Sequence, residues 1–231
     1  MKKIKVCNLK NVMLIAGSIF LLSVMSAVAA NIEEGIAAVE QKDYMTAYKT
    51  FKTLAEQGNA EAQYNLAILY KQGKGAMQDA GAAVNWFRKA AEQGLASAQY
   101  YIGHLYDVGE GVKQDSILAK DWYTKAAEQG NASAQSNLGV LYANGEGGQQ
   151  DIVKSYVWFS LAASQGLTAA LDNRNVLAKS MSPELLKNAT TLSRDYFQRY
   201  VAPFSLQQNK LTSRGHPAVP NAHQQSGSSV K

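Results

Sequence analysis

The residues of this 231-residue chain that invite a chemical reading are three histidines, one cysteine and three evenly spaced aspartates. His104, His216 and His223 are the acid–base candidates. The last two stand in a stretch, 202–231, without an acidic residue to orient an imidazole, so a weak metal contact is the most they offer. His104 has no evident Ser or Cys partner to activate. Asp79, Asp115 and Asp151 look like a carboxylate set, but their 36-residue spacing separates them by a structural unit each, too far to share a proton. Each precedes a periodic apolar stretch, the place of a helix N-cap. Gly145-Glu146-Gly147-Gly148 has the glycines of a phosphate loop but lacks the following Lys-Ser/Thr, and it follows a helix rather than a strand. No catalytic, cofactor-binding or metal-ligating residue is assigned, and no cofactor is expected. A hydrolase acting on cell-wall material would need paired carboxylates or a His–nucleophile pair in one cleft, and the sequence shows neither.

The same aspartates belong to a longer rhythm. Ala-Glu-Gln-Gly occurs at Ala55–Gly58, Ala91–Gly94 and Ala127–Gly130, and returns as Ala163-Ser164-Gln165-Gly166, always 36 residues on. Trp86, Trp122 and Trp158 keep that step. A fixed period of this length is the mark of a stacked repeat array. In the copy from Asn59 to Gly94, Ala62, Leu66, Leu69 and Tyr70 share one helical face. Gly73 and Gly75 end that helix, because glycine enters the left-handed conformation without a Cβ penalty. Ala83, Trp86, Phe87, Ala90 and Ala91 form the face of a second helix, which Gly94 stops. Each repeat is therefore expected to be two antiparallel helices. Alanines let the axes approach, and Trp86 and Tyr70 are expected to fill the space between hairpins. A single hairpin cannot bury its apolar face, so the copies must stack into an all-α solenoid.

The residues Ala98, Ile102-Gly103, Leu105-Tyr106, Gly109 and Gly111, followed by Asp115, Ala119, Trp122-Tyr123, Ala126-Ala127 and Gln129-Gly130, resemble the Sel-one-like branch of the tetratricopeptide repeats. Three near-complete copies cover 59–94, 95–130 and 131–166. The resemblance implies a right-handed α/α superhelix whose first helices line a concave surface. It also implies adaptor or scaffold roles, commonly in the bacterial envelope or at a host interface.

The flanks are expected to cap the array. Residues 31–58 suggest a tetratricopeptide-like helix pair, with Asp43, Ala47, Phe51, Leu54 and Ala55 in register with the second-helix pattern. Residues 167–201 suggest capping helices: Leu171, Asp172 and Arg174 depart from the repeat, and Ser182-Pro183-Glu184 starts a helix carrying Leu185, Ala189, Leu192 and Tyr196. From 202 to 231 the composition is that of a disordered tail, in which Phe204 and Leu206 offer a short docking segment as the alternative.

Residues 1–30 have the form of a secretory signal peptide: Lys2, Lys3, Lys5 and Lys10, an apolar run from Val12 to Val28, and small residues ending at Ala30. An uncleaved anchor is the alternative, although Gly17, Ser18, Ser23 and Ser26 make a poor spanning helix. Removal of those four lysines from 23 basic residues leaves 19 against 18 acidic ones. A nearly neutral mature domain lacks the electrostatic footprint of a nucleic-acid binder. Cys7, the single cysteine, would leave with the leader, so stability must come from packed apolar surface.

Residues that recur in each copy serve the stacking, so recognition must lie in what differs. Beside the core stripe of each first helix runs a second stripe that varies: Tyr64, Ile68 and Lys71; Tyr100, His104 and Asp107; Ser136, Val140 and Ala143. The resemblance places it on the concave side, where tyrosines would give amphipathic contact area. Packing of Tyr64 and Tyr100 between neighbouring helices is the alternative. The expectation is a monomeric, exported, non-catalytic adaptor in the cell envelope that binds a protein or peptide, periplasmic or secreted, with no membrane span after cleavage. A secreted factor binding host proteins is the alternative.

Overall fold

The computed structural model describes residues 32–205, and the expected signal segment and the histidines at 216 and 223 lie outside them. All regular structure among the described residues is helical. After α1 (32–40) come α2 (Tyr44–Glu56) and α3 (Ala60–Gln72), then α4 (Ala80–Glu92), α5 (Ala96–Val108), α6 (Ser116–Glu128), α7 (Ala132–Asn144), α8 (Ile152–Ser164), α9 (Thr168–Ser180) and α10 (Pro183–Tyr200). The chain divides into two compact units, with the boundary between Asp79 and Ala80.

In the first unit α2 packs on α3. Asp43 caps α2, its carboxylate accepting from the Thr46 amide at 3.1 Å, and Ala47, Phe51, Leu54 and Ala55 are buried in the expected register. Lys42 turns the chain into α2 at φ 61°, where the repeats use glycine. Tyr48 and Tyr70 meet hydroxyl to hydroxyl at 3.0 Å, and that hydrogen bond, followed by burial, pushes the Tyr70 phenol up to about 12.

In the second unit each helix from α4 to α8 packs on the next, the stacking required of hairpins that cannot bury themselves alone. The helices from α2 to α9 are all 13 residues long, so the 36-residue step in sequence is a step in space. Asp115 and Asp151 are N-caps, accepting from the Leu118 and Lys154 amides at 3.0 and 2.9 Å. Gly147, at φ 66°, sits against the start of α6: a Cβ there would lie 2.5 Å from the Ser116 carbonyl oxygen, so the turn needs glycine for space as well as for conformation.

Two periodic glutamine sets, absent from the sequence reading, hold the repeats together. Gln99 and Gln135, both buried, donate from their side-chain amides to the carbonyls of Ala91 and Ala127 at 3.2 and 3.0 Å. Their carbonyl oxygens in turn accept from Gln129 and Gln165, at 2.7 and 2.8 Å. Gln114 and Gln150 close the turns, donating to the Asp107 and Ala143 carbonyls at the end of each first helix. Buried amides so satisfied cost little and fix the register between hairpins.

The tryptophans are placed differently from the expectation. Trp86 and Trp122 are only half-buried, each with a lysine ammonium (Lys89, Lys125) 4.1 Å above its ring. The rings that fill the core are their neighbours Phe87, Tyr123 and Phe159, none with measurable exposure. Gly103 and Gly139 of the preceding first helices make room, since a Cβ there would lie 2.9 and 2.8 Å from the Tyr123 and Phe159 rings. Adjacent residues of a helix lie about 100° apart, so the W-[FY] pair cannot put both rings inward. Trp158 alone of the three is buried, because Tyr196 and Tyr200 of α10 lie over it with ring centroids 5.4 and 5.8 Å away.

The carboxyl end also departs from simple continuation. Ser182 caps α10 and Pro183 begins it, as expected, with Ala189 buried. Helix α10 then packs chiefly on α8 and reaches α6. Residues 202–205 are helical, with Val201 buried and the Phe204 ring beside Gly130, so the expected disordered tail does not begin at 202.

Candidate binding site on the first-helix face

The varying stripe is only partly a surface. In the first unit Tyr64, Ile68 and Lys71 of α3 are each half-buried. In the second, Tyr100, Ser136 and Val140 are 5 %, 2 % and 8 % exposed, so these three are corrections to the expected contact set. The reason is the stack itself: Val140 joins an apolar cluster with Phe159, Ala162, Ala170 and Leu177, which the next helices complete. Tyr100 packs against Tyr101 and Tyr123, with ring centroids 5.5 and 5.9 Å away. Ser136 occupies the position of Tyr64 and Tyr100 one period on, and its buried hydroxyl has no hydrogen-bond partner.

What stays accessible is the end of the α5 stripe. His104 lies nearly parallel to the Tyr100 ring, 6.4 Å between centroids, and Asp107 stands in the last turn of the helix. The Asp107 Oδ2 accepts from the Tyr123 hydroxyl at 3.2 Å, and that hydroxyl accepts from the Asn137 amide at 2.9 Å. The relay Asn137–Tyr123–Asp107 ties α7, α6 and α5 across two repeats. Burial raises the Asp107 carboxyl above the usual aspartate range; the Tyr123 hydrogen bond and nearby His104 pull it down, and Glu146 adds to the rise. Burial, and then the Asp107 charge, raise the Tyr123 phenol well above its ordinary value.

Among the described residues this relay occurs at one junction only. One period away, Tyr123 is matched by Phe87 and Phe159, and Asp107 by Lys71 and Ala143. Tyr123 and Asn137 escaped the sequence reading because Phe and Tyr are interchangeable within the repeat pattern. The signal was that single hydroxyl among three aromatic positions. Chemically, Asp107 beside His104 and Glu146 makes an acidic patch suited to a cationic side chain or to peptide amides. No nucleophile joins them, and no group of three or more His, Cys, Asp or Glu among the described residues is placed to hold a metal ion.

Helical hairpins stacked at a constant step, with a variable first-helix face, define a repeat protein of the solenoid class. The Sel1 repeat model matches residues 60–95, 96–131 and 132–167. The chain carries three Sel1 repeats in tandem. A solved Sel1 repeat protein from Oxalobacter formigenes is 34% identical, with a TM-score of 0.60, over 63% of this chain and 60% of that one. A protective antigen present in uropathogenic Escherichia coli strains, displaying the SLR fold, is 30% identical, with a TM-score of 0.56, over 80% of this chain and 48% of that one. The chain thus spans less than two thirds of either relative. No curated protein matches it. The fold is typical of protein–protein interaction scaffolds.

Proposed function

We propose that this chain is an exported, non-catalytic adaptor of the bacterial cell envelope that holds a basic peptide or partner helix against the first-helix face of its second unit. One observation carries the reading: a half-buried carboxylate, Asp107, is held by a relay that no neighbouring repeat reproduces. A feature built once in a periodic array serves something other than periodicity. The signal-like residues 1–30 support export, and no helix among the described residues is long and apolar enough to cross a membrane. A second reading, a secreted factor that binds host proteins, is favoured by the likeness to the protective antigen.

A photo-reactive residue at position 104, introduced in the producing cell, tests the proposal. The expected outcome is one dominant cross-linked protein in the periplasmic or outer-membrane fraction, reduced at least severalfold when Asp107→Asn is added to a chain that stays folded. Capture unaffected by that substitution would remove Asp107 from recognition. Recovery of the chain from the medium, cross-linked only after exposure to host cells, would favour the second reading. Retention in the cytoplasm would end both.

A further inference from the structure

Between α8, α9 and α10 lies an open cleft of about 290 Å³. Leu161, Tyr156 and Phe197 give it apolar walls, and Arg174 from α9 and Arg194 from α10 supply two guanidinium groups. No carboxylate lines it. Arg194 is exposed, and Arg174 is half-buried and hydrogen-bonds the neutral Asn175 side chain, the shortest contact 2.9 Å. Ser160, Thr190 and Ser193 on the walls spend their hydroxyl protons on carbonyls four residues back in their own helices. The cleft therefore pairs apolar surface with positive charge that no carboxylate on its walls neutralises.

Arg174 is the informative residue. One, two and three periods earlier its position holds Leu138, Ile102 and Leu66, all without measurable exposure. The array thus replaces a core aliphatic residue with an arginine where α10 turns away to pack on α8. A cap needs polar residues, but a cap is satisfied by polar groups turned to solvent. Here the guanidinium lines a walled cleft with a second guanidinium on the facing helix.

We propose that this cleft binds the free C-terminal carboxylate of a peptide that ends in a bulky apolar residue. Arg174 and Arg194 hold the carboxylate by charge-assisted hydrogen bonds, and the last side chain packs against Phe197 and Leu161. The volume lies at the low end for small-ligand sites, suiting a chain end rather than an extended segment. The site is separate from the Asp107 patch, so either assignment stands without the other.

The test uses fluorescence anisotropy of a labelled synthetic tetrapeptide ending in phenylalanine, as free acid and as C-terminal amide, with the full chain. Saturable binding of the acid, weakened roughly tenfold or more by amidation and by Arg174→Leu or Arg194→Gln, supports the proposal. Because Arg174→Leu restores the residue type of the other repeats, its thermal midpoint should equal or exceed the parent's, which separates lost binding from lost folding. Equal binding of acid and amide, or no effect of either substitution, overturns the proposal. So does binding of decanoate, with arginine dependence, when the peptide acid does not bind, since the cleft would then be a site for free amphiphiles. Absence of binding in every arm overturns it as well.

Discussion

Asp107 is in a position that favours its neutral form, and this has a measurable consequence. Its carboxyl is raised above the unfolded value of about 3.9, chiefly by burial. A group raised on folding adds stability below its unfolded pKa and loses that contribution as pH rises through its folded pKa. At neutral pH the parent therefore carries the whole cost of the buried charge. Asp107→Asn keeps an oxygen to accept from Tyr123 and removes the charge, so its melting temperature should exceed the parent's at pH 7. The gap should narrow as pH falls toward 4, and scanning calorimetry across that range would show it. A variant that is more stable yet captures less partner would mark Asp107 as kept for binding. His104 and Asp107 were legible in the sequence as residues that vary between copies. Tyr123 and Asn137 were not, because their role depends on three helices meeting at one hydroxyl.

Within each second helix, the choice between two adjacent aromatic residues is decided by what lies on either side. Phe159 faces Gly139 of α7 and is fully enclosed, whereas Trp122 lies under Lys125 at the outer surface. Phe159→Ala should cost about 3–5 kcal/mol, the usual range for emptying a buried aromatic site. Trp122→Ala, half-buried, should cost only about 1–2 kcal/mol by area. Urea titrations of the two variants would check the order, and a larger loss at Trp122 would contradict the packing described. Helical periodicity placed both residues near the apolar side. It could not rank them, since the inward direction is set by the glycines of the neighbouring helix.

The whole array is closed by a helix that does not obey its period. Helix α10 covers Trp158 with Tyr196 and Tyr200, and the chain beyond it reaches Gly130. A chain ended at Met181 should lose that cover. Its tryptophan emission should shift to the red and its thermal midpoint should fall, while its far-ultraviolet dichroism stays helical. An unchanged emission maximum would mean that α10 contributes no cover. Full loss of helical signal would mean that the repeats cannot stand without their cap. The start of α10 was legible from Ser182-Pro183-Glu184, because N-caps are local. Its direction was not, because a two-residue connection, Met181–Ser182, leaves the packing partner open.

The sequence by itself determined the helical hairpins, their 36-residue step, their glycine turns and the aspartate caps at Asp115 and Asp151, since each follows from contacts within a few residues or from one constant step. It also singled out the variable stripe. Only the tertiary structure decided which members of that stripe remain a surface. Tyr100, Ser136 and Val140 are enclosed while His104 and Asp107 are reachable, because burial is a property of the neighbouring hairpin and not of the residue. The same holds for Arg174: the sequence marked it as a departure from the repeat, and the turning of α10 onto α8 made it the wall of a cleft.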